Sequence, residues 1–266
     1  MAAPIVIVGA GQAAASFISR HVALGSQQPV LLIGEEAHPP YQRPPLSKKY
    51  LLGELERERL FIRPLEWYAD QSIELRFDTR VDSIDRDHKK IITDDGESVE
   101  YDKLLLCTGA SARSLPADIG GTLDNVFTLR SIVDIDKMSP QFQAGRKLLI
   151  VGGGYIGLEA AAASRQLGLE VTVLELADRI LQRVAAAETS NYFRDLHSGH
   201  GVNLRESVRM TRLLSKDGAV RGAELESGEV IDADLVLVGI GSSPNTELAQ
   251  AAGLDCDNGI RVNEIC

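Results

Sequence analysis

Apolar residues in this chain gather into short runs that alternate with longer stretches of helical spacing, and the whole alternation occurs twice. The first pass opens with PIVIVGAGQAAASFISRHVALG, an apolar run, a glycine turn and a small-residue helical stretch, and continues to a second apolar run, PVLLIGEE. The second pass opens with KLLIVGGGYIGLEAAAASRQLG and continues to EVTVLELA. Each predicts a strand–helix–strand unit. The likeness extends further. TRVDSIDRD, KKIIT and ESVEYD follow the first unit, with a DDG turn, and lead to KLLLCTGA; SVRMTRLLSKDG, VRGAELE and GEVIDA follow the second, with KDG and SG turns, and lead to DLVLVGIGS. Both halves therefore predict an α/β unit, an antiparallel meander, and an apolar strand ending in glycine. ASARSLPADIGGTLDNVFTLRS, rich in turn formers, is the expected crossover.

The glycine turns carry the first chemistry. Gly9, Gly11 and Ala14 take the positions of G-x-G-x-x-(G/A) directly after a strand and at the start of a helix. Such a turn needs glycine for its tightness, room at the second position for a pyrophosphate to reach backbone N–H groups, and a small third residue for helix–strand packing. Glu35 follows 26 residues after Gly9 at the end of the next strand, where a carboxylate accepts from ribose hydroxyls. Gly152, Gly154 and Gly157 repeat the pattern, with Glu175 lying 23 residues after Gly152. A carboxylate there favours NADH over NADPH, and Arg179, four residues on, could soften that preference. The fold expected is two Rossmann-like dinucleotide-binding domains, each with an inserted antiparallel meander. Two bound dinucleotides imply hydride transfer between nicotinamide and flavin, for which the protein supplies orientation and electrostatics.

Composition narrows the field. The net charge of −10 argues against a nucleic-acid surface; basic residues are gathered locally in RERLFIRP and in YQRPPLSKKYL. No apolar run approaches the roughly 18 residues of a membrane span. Met1–Ala3 leads into a strand without a basic leader, so a cytoplasmic location is expected. Cys107, Cys256 and Cys266 are too far apart to suggest a metal site or a C-x-x-C pair. No serine elbow, H-E-x-x-H or His/Cys cluster occurs.

IVIVGAGQAAAS, YQRPPLSKKYL, KLLLCTGA, LLIVGGGYIGLEAAA and LVLVGIGSSPNTELAQAAGL, in this order, closely resemble the FAD-dependent ferredoxin reductases that serve Rieske oxygenases and bacterial P450s. These belong with rubredoxin reductases and apoptosis-inducing factor among the flavoproteins with two dinucleotide-binding domains. The resemblance implies an FAD-binding domain over residues 1–111, an NADH-binding domain over 112–246, and a return to the first over 247–266. It implies that Gly9, Gly11, Ala13 and Glu35 hold the ADP moiety of FAD, and that Arg43 and Lys48 lie along the flavin. Val81, Thr108, Gly109 and Arg130 match further FAD contacts. Gly152, Gly154, Tyr155, Ile156, Gly157, Glu175 and Gly241 match the NADH site. Glu159 matches a carboxylate beside the nicotinamide, paired with Lys48, and these two are the expected catalytic residues. A cation near the flavin favours its anionic reduced ring and a carboxylate near the nicotinamide favours its positive form.

Disulfide-using relatives of the glutathione reductase type carry their cysteines where this chain reads YQRPPLSKKYL. With no thiol there, electrons are expected to leave the flavin one at a time for an external [2Fe–2S] ferredoxin or a rubredoxin. The resemblance also implies a Gly-Asp FAD motif and a further domain after DNGIRVNEIC. Without them, an exposed apolar edge around residues 1–110 and weaker FAD retention are expected. Two other readings stay open: an NADH-linked reductase of a small acceptor such as a quinone, oxygen or an ascorbate radical, and a non-catalytic nucleotide-binding remnant.

Overall fold

The computed structural model describes residues 3–265; Cys266 and the first two residues lie outside them. The chain divides into two compact units. Unit 1 comprises residues 1–42, 57–111 and 243–266, and unit 2 comprises 43–56 and 112–242. The proline-rich segment 43–56 thus groups with the unit that contains the second glycine turn.

In unit 1 a parallel sheet of four strands runs in the order Ile73–Arg76, Val30–Ile33, Ile5–Val8, Lys103–Leu106. Ile5–Val8 and Val30–Ile33 are buried at every position, which is why they read as continuous apolar runs rather than as alternating ones. Their two faces serve two cores. Ile5, Ile7, Val30 and Leu32 pack with Ala14 and Ile18 of the helix Gln12–Ala23, and with Tyr68. Val6, Val8, Leu31 and Ile33 pack with Val81, Ile91 and Val99 from the meander Val81–Asp85, Lys90–Thr93, Ser98–Glu100, and with Tyr101 just after it. Lys103–Leu106 is an edge strand: among the described residues it pairs only with Ile5–Val8, and Leu104, Leu105 and Leu106 are half-buried.

Unit 2 repeats this plan with a five-stranded parallel sheet. The order is Asn203–Arg205, Glu170–Leu174, Lys147–Val151, Leu235–Val238, Val126–Thr128. Leu149, Leu174, Val236 and Val238 pack against Leu213, Val220, Ala223 and Leu225 of the antiparallel strands Met210–Lys216 and Ala219–Leu225. Val230–Asp232 completes that meander. The outer strand Val126–Thr128 lies within the stretch expected to be a plain crossover; it is three residues long, too short for its alternation to register. Among the described residues no helix is long and apolar enough to cross a membrane.

Candidate functional site

Each parallel sheet delivers its first strand into a glycine turn, and the glycines do different work. In unit 2, Gly152 sits at φ +112°, and a side chain there would strike the Gly239 carbonyl, 2.8 Å from its carbon. Gly157 is buried, and a Cβ on it would strike the carbonyl oxygen of Gly152. Those two are demanded by packing. Gly154 is not: its φ of −82° and ψ of −176° suit any residue, and a Cβ there would meet nothing within 4 Å. Unit 1 behaves the same way. Gly9 lies at φ +104° with its missing Cβ 2.6 Å from the Cys107 carbonyl carbon, Gly11 faces open space, and Ala14 is fully buried while Ala13 is exposed.

The open glycines stand at the N-caps of Gln12–Ala23 and Tyr155–Gln166, which have neither a side-chain cap nor an acidic residue in the first turn. The helices Leu65–Asp70, Ala187–Gly199 and Glu247–Ala251 also lack a side-chain cap, but each carries an acidic residue in its first turn. Ser131 and Asp134 form a full capping box on the helix Ile132–Met138. Two uncapped helix starts, each beneath a glycine with no side chain to fill the space, fit an anionic diphosphate that accepts from the free N–H groups. Tyr155 and Ile156 open the second of these helices with exposed side chains.

The acids that end the second strands differ. Glu175 is half-buried and folds back on its own turn, one oxygen accepting from Gly153 N–H at 2.7 Å and the other from Ala177 N–H at 2.8 Å. Arg179 does not stand free to offset it. Its guanidinium donates to Ser190 Oγ at 2.6 Å and to the carbonyls of Gln182 and Ala186. Glu35 is exposed, while its neighbour Glu36 accepts from the Tyr41 hydroxyl.

Of the remaining expected FAD contacts in unit 1, Val81 is buried at the start of the meander, paired with Thr93. Thr108 and Gly109 are held by a residue the sequence reading did not single out, Asn245. Thr108 Oγ1 donates to the Asn245 carbonyl at 2.7 Å, Asn245 Nδ2 returns a bond to the Thr108 carbonyl at 2.9 Å, and Asn245 N–H donates to the Gly109 carbonyl at 3.0 Å. Asn245 follows SSP after an apolar strand, so from sequence it reads as a turn former. Cys107 is mostly buried, and burial pushes its thiol up to about 11.

Unit 2 gathers the catalytic candidates. Pro44–Ser47 forms a single tight turn whose Leu46 is fully buried, and Lys48 closes it. Lys48 Nζ stands 2.6 Å from Glu159 Oε2 and also donates to the Pro44 carbonyl. Glu159 lies one turn into the helix that starts at the second glycine loop. Arg43 donates to the Arg130 carbonyl at 2.7 Å, and Tyr50 donates to Asp136 at 2.8 Å, so polar side chains anchor the segment from residue 43 to residue 50. Gly241 adopts φ +107°, and its carbonyl accepts from Arg113 N–H. Among the described residues no group of three or more His, Cys, Asp or Glu is placed to hold a metal ion.

Comparison with known proteins gives this geometry a family. The chain is 44% identical over 267 residues to the ferredoxin–NAD(+) reductase component of the anthranilate 1,2-dioxygenase system of Burkholderia cepacia, covering 99% of this chain and 64% of that protein. It is 42% identical to rhodocoxin reductase of Rhodococcus erythropolis, covering 98% of this chain and 61% of that protein. Among solved structures, the covalent putidaredoxin reductase–putidaredoxin complex matches with a TM-score of 0.95 at 39% identity, over 98% of this chain and 64% of that one. The chain thus spans somewhat under two thirds of the length of these relatives. Residues 3–266 match the pyridine nucleotide-disulphide oxidoreductase family, and the chain belongs to it.

Proposed function

We propose that this chain carries out electron transfer from NADH through FAD to a [2Fe–2S] ferredoxin or a rubredoxin that feeds an oxygenase. The observation that carries the reading is the pair of helix starts with neither a side-chain cap nor a first-turn acid, each beneath a glycine that opens onto empty space. When bound, the two cofactors supply the hydride chemistry. The chain's residues bind and orient them. Gly9, Gly11, Ala13 and Glu35 would hold the ADP part of FAD, with Val81, Thr108, Gly109, Arg43 and Arg130 as further contacts. Gly152, Gly154, Tyr155, Ile156, Gly157, Glu175 and Gly241 would hold NADH. On this reading residues 1–111 and 247–266 serve FAD and 112–246 serve NADH.

Glu175 selects against a 2′-phosphate by charge, and the engagement of Arg179 elsewhere supports that preference. Lys48 and Glu159, paired in the structure, would place a cation and a carboxylate where charge changes during hydride transfer. The reading of the acceptor rests on relatives named as reductases of a ferredoxin, rhodocoxin, putidaredoxin and rubredoxin, and on the lack of any cysteine in residues 41–51. A cytoplasmic location suits an NADH-dependent enzyme with unpaired cysteines.

The test is NADH-driven turnover of the FAD-loaded chain with a [2Fe–2S] ferredoxin, a rubredoxin, a quinone and oxygen in parallel. Faster reduction of an iron–sulfur or rubredoxin acceptor than of either small acceptor is expected. A preference for the quinone or oxygen contradicts the assigned partner.

A further inference from the structure

The turn that delivers Lys48 also delivers Ser47, to which neither the sequence pattern nor the family resemblance assigned a task. Ser47 is one of few buried polar residues, only 3% exposed, and its hydroxyl donates to Glu159 Oε2 at 2.6 Å. That is the same oxygen that meets Lys48 Nζ. One carboxylate oxygen therefore takes a hydrogen bond from a rigid, buried donor and an ion pair from a long, flexible one. The two donors are not equivalent. Lys48 has four side-chain rotors and its side chain is 47% exposed, so its pair with Glu159 alone would be loose and screened by water. Ser47 has a single rotor, already fixed by burial and by the Pro44–Pro45 turn beneath it. A hydroxyl bonded to a carboxylate is also one of the stronger neutral donors.

We propose that Ser47 is a positioning residue: it fixes the Glu159 carboxylate, and through it the Lys48 ammonium, in the arrangement that hydride transfer requires. The inference rests on the roles given above to Lys48 and Glu159 and adds the residue that makes a half-exposed ion pair into a fixed device. A different task for the hydroxyl, simply satisfying a buried polar group, predicts a different pattern of coupling.

The experiment is a double-mutant cycle in the FAD-loaded chain, read by anaerobic rapid mixing with NADH. Ser47→Ala is expected to lower the limiting rate of flavin reduction about tenfold, the loss of one hydrogen bond to a charged group. The NADH concentration giving half the limiting rate stays unchanged, and Ser47→Thr restores most of the rate. In a Glu159→Ala background, Ser47→Ala brings no further loss. Two readouts besides rate accompany it. The flavin midpoint potential shifts in Ser47→Ala in the same direction as in Lys48→Gln, and thermal melts of the cofactor-free variants show Ser47 and Glu159 to be coupled. An equal loss in both backgrounds, or no loss in an otherwise unchanged protein, overturns the role of Ser47 while leaving Lys48 and Glu159 in place. If Lys48→Gln and Glu159→Ala themselves leave rate and potential unchanged, the underlying reading fails and takes this one with it.

Discussion

Gly152 and Gly154 are two residues apart in one turn, yet alanine should do opposite things at them. At Gly152 a non-glycine residue at φ +112° costs about 1–2 kcal/mol in backbone strain. The new methyl would also press on the Gly239 carbonyl, and relieving that contact adds about 1–3 kcal/mol. Gly152→Ala should therefore destabilise unit 2 by about 2–5 kcal/mol, lowering its melting temperature by roughly 6–15 °C. Gly154→Ala meets no atom within 4 Å at an ordinary extended φ and ψ. It should leave the melting temperature unchanged or raise it, since alanine narrows the unfolded ensemble by about 0.4–1 kcal/mol. Its methyl group instead fills the space where a diphosphate meets the helix N–H groups. That overpacking, again about 1–3 kcal/mol, predicts a roughly tenfold to hundredfold weaker affinity for NADH. Thermal melts and fluorescence titration with NADH separate the two effects. A Gly154→Ala protein that folds normally and binds NADH as tightly as the parent would refute the assignment of that space.

Three further outcomes follow from named contacts. Glu175→Ala should narrow the preference for NADH over NADPH by about tenfold, one charge-assisted contact, as read from the ratio of the two dissociation constants; an unchanged ratio counts against Glu175 as the selecting group. Burial pushes the Glu206 carboxyl up, but the two hydrogen bonds from Arg194 and one from Ile180 N–H outweigh this and leave it below its ordinary value. A carboxyl lowered in the folded state stabilises above its unfolded pKa of about 4.3 and loses that contribution as the pH falls below it. Glu206→Gln should accordingly cost about 2 kcal/mol in urea unfolding at pH 7 and much less at pH 3, so an equal cost at both would contradict the linkage. Cys107, raised to about 11, is thiolate in only about one molecule in a thousand at pH 8 and should resist iodoacetamide until the protein unfolds.

The repeated architecture was legible because each sheet centre is buried on both faces, which forces uninterrupted runs such as IVIV and LVLV. The meanders were legible because their DDG, KDG and SG turns punctuate alternating residues. Short outer strands were not: Ile73–Arg76, Asn203–Arg205 and Val126–Thr128 have three or four residues each and little pattern of their own. The glycine spacing marked both turns, but could not distinguish the glycines that packing demands from those that face open space; for Gly9 and Gly152 that distinction depends on the carbonyls of Cys107 and Gly239, 98 and 87 residues downstream. Lys48 and Glu159 came from family resemblance. Ser47 did not, because a serine beside two prolines reads first as a turn residue, and its partner is 112 positions away. Asn245 was hidden for the same reason, its bonds to Thr108 joining residues 137 positions apart.

On the proposed function, NADH held at the second glycine turn reduces FAD held at the first. The most direct test is the visible absorption of the chain loaded with FAD, recorded without oxygen before and after one equivalent of NADH. The flavin absorbance should be lost, and far less of it in the Gly154→Ala protein at low NADH. A chain that takes up no FAD, or whose flavin absorbance survives NADH while NADH binds, would contradict the proposed function.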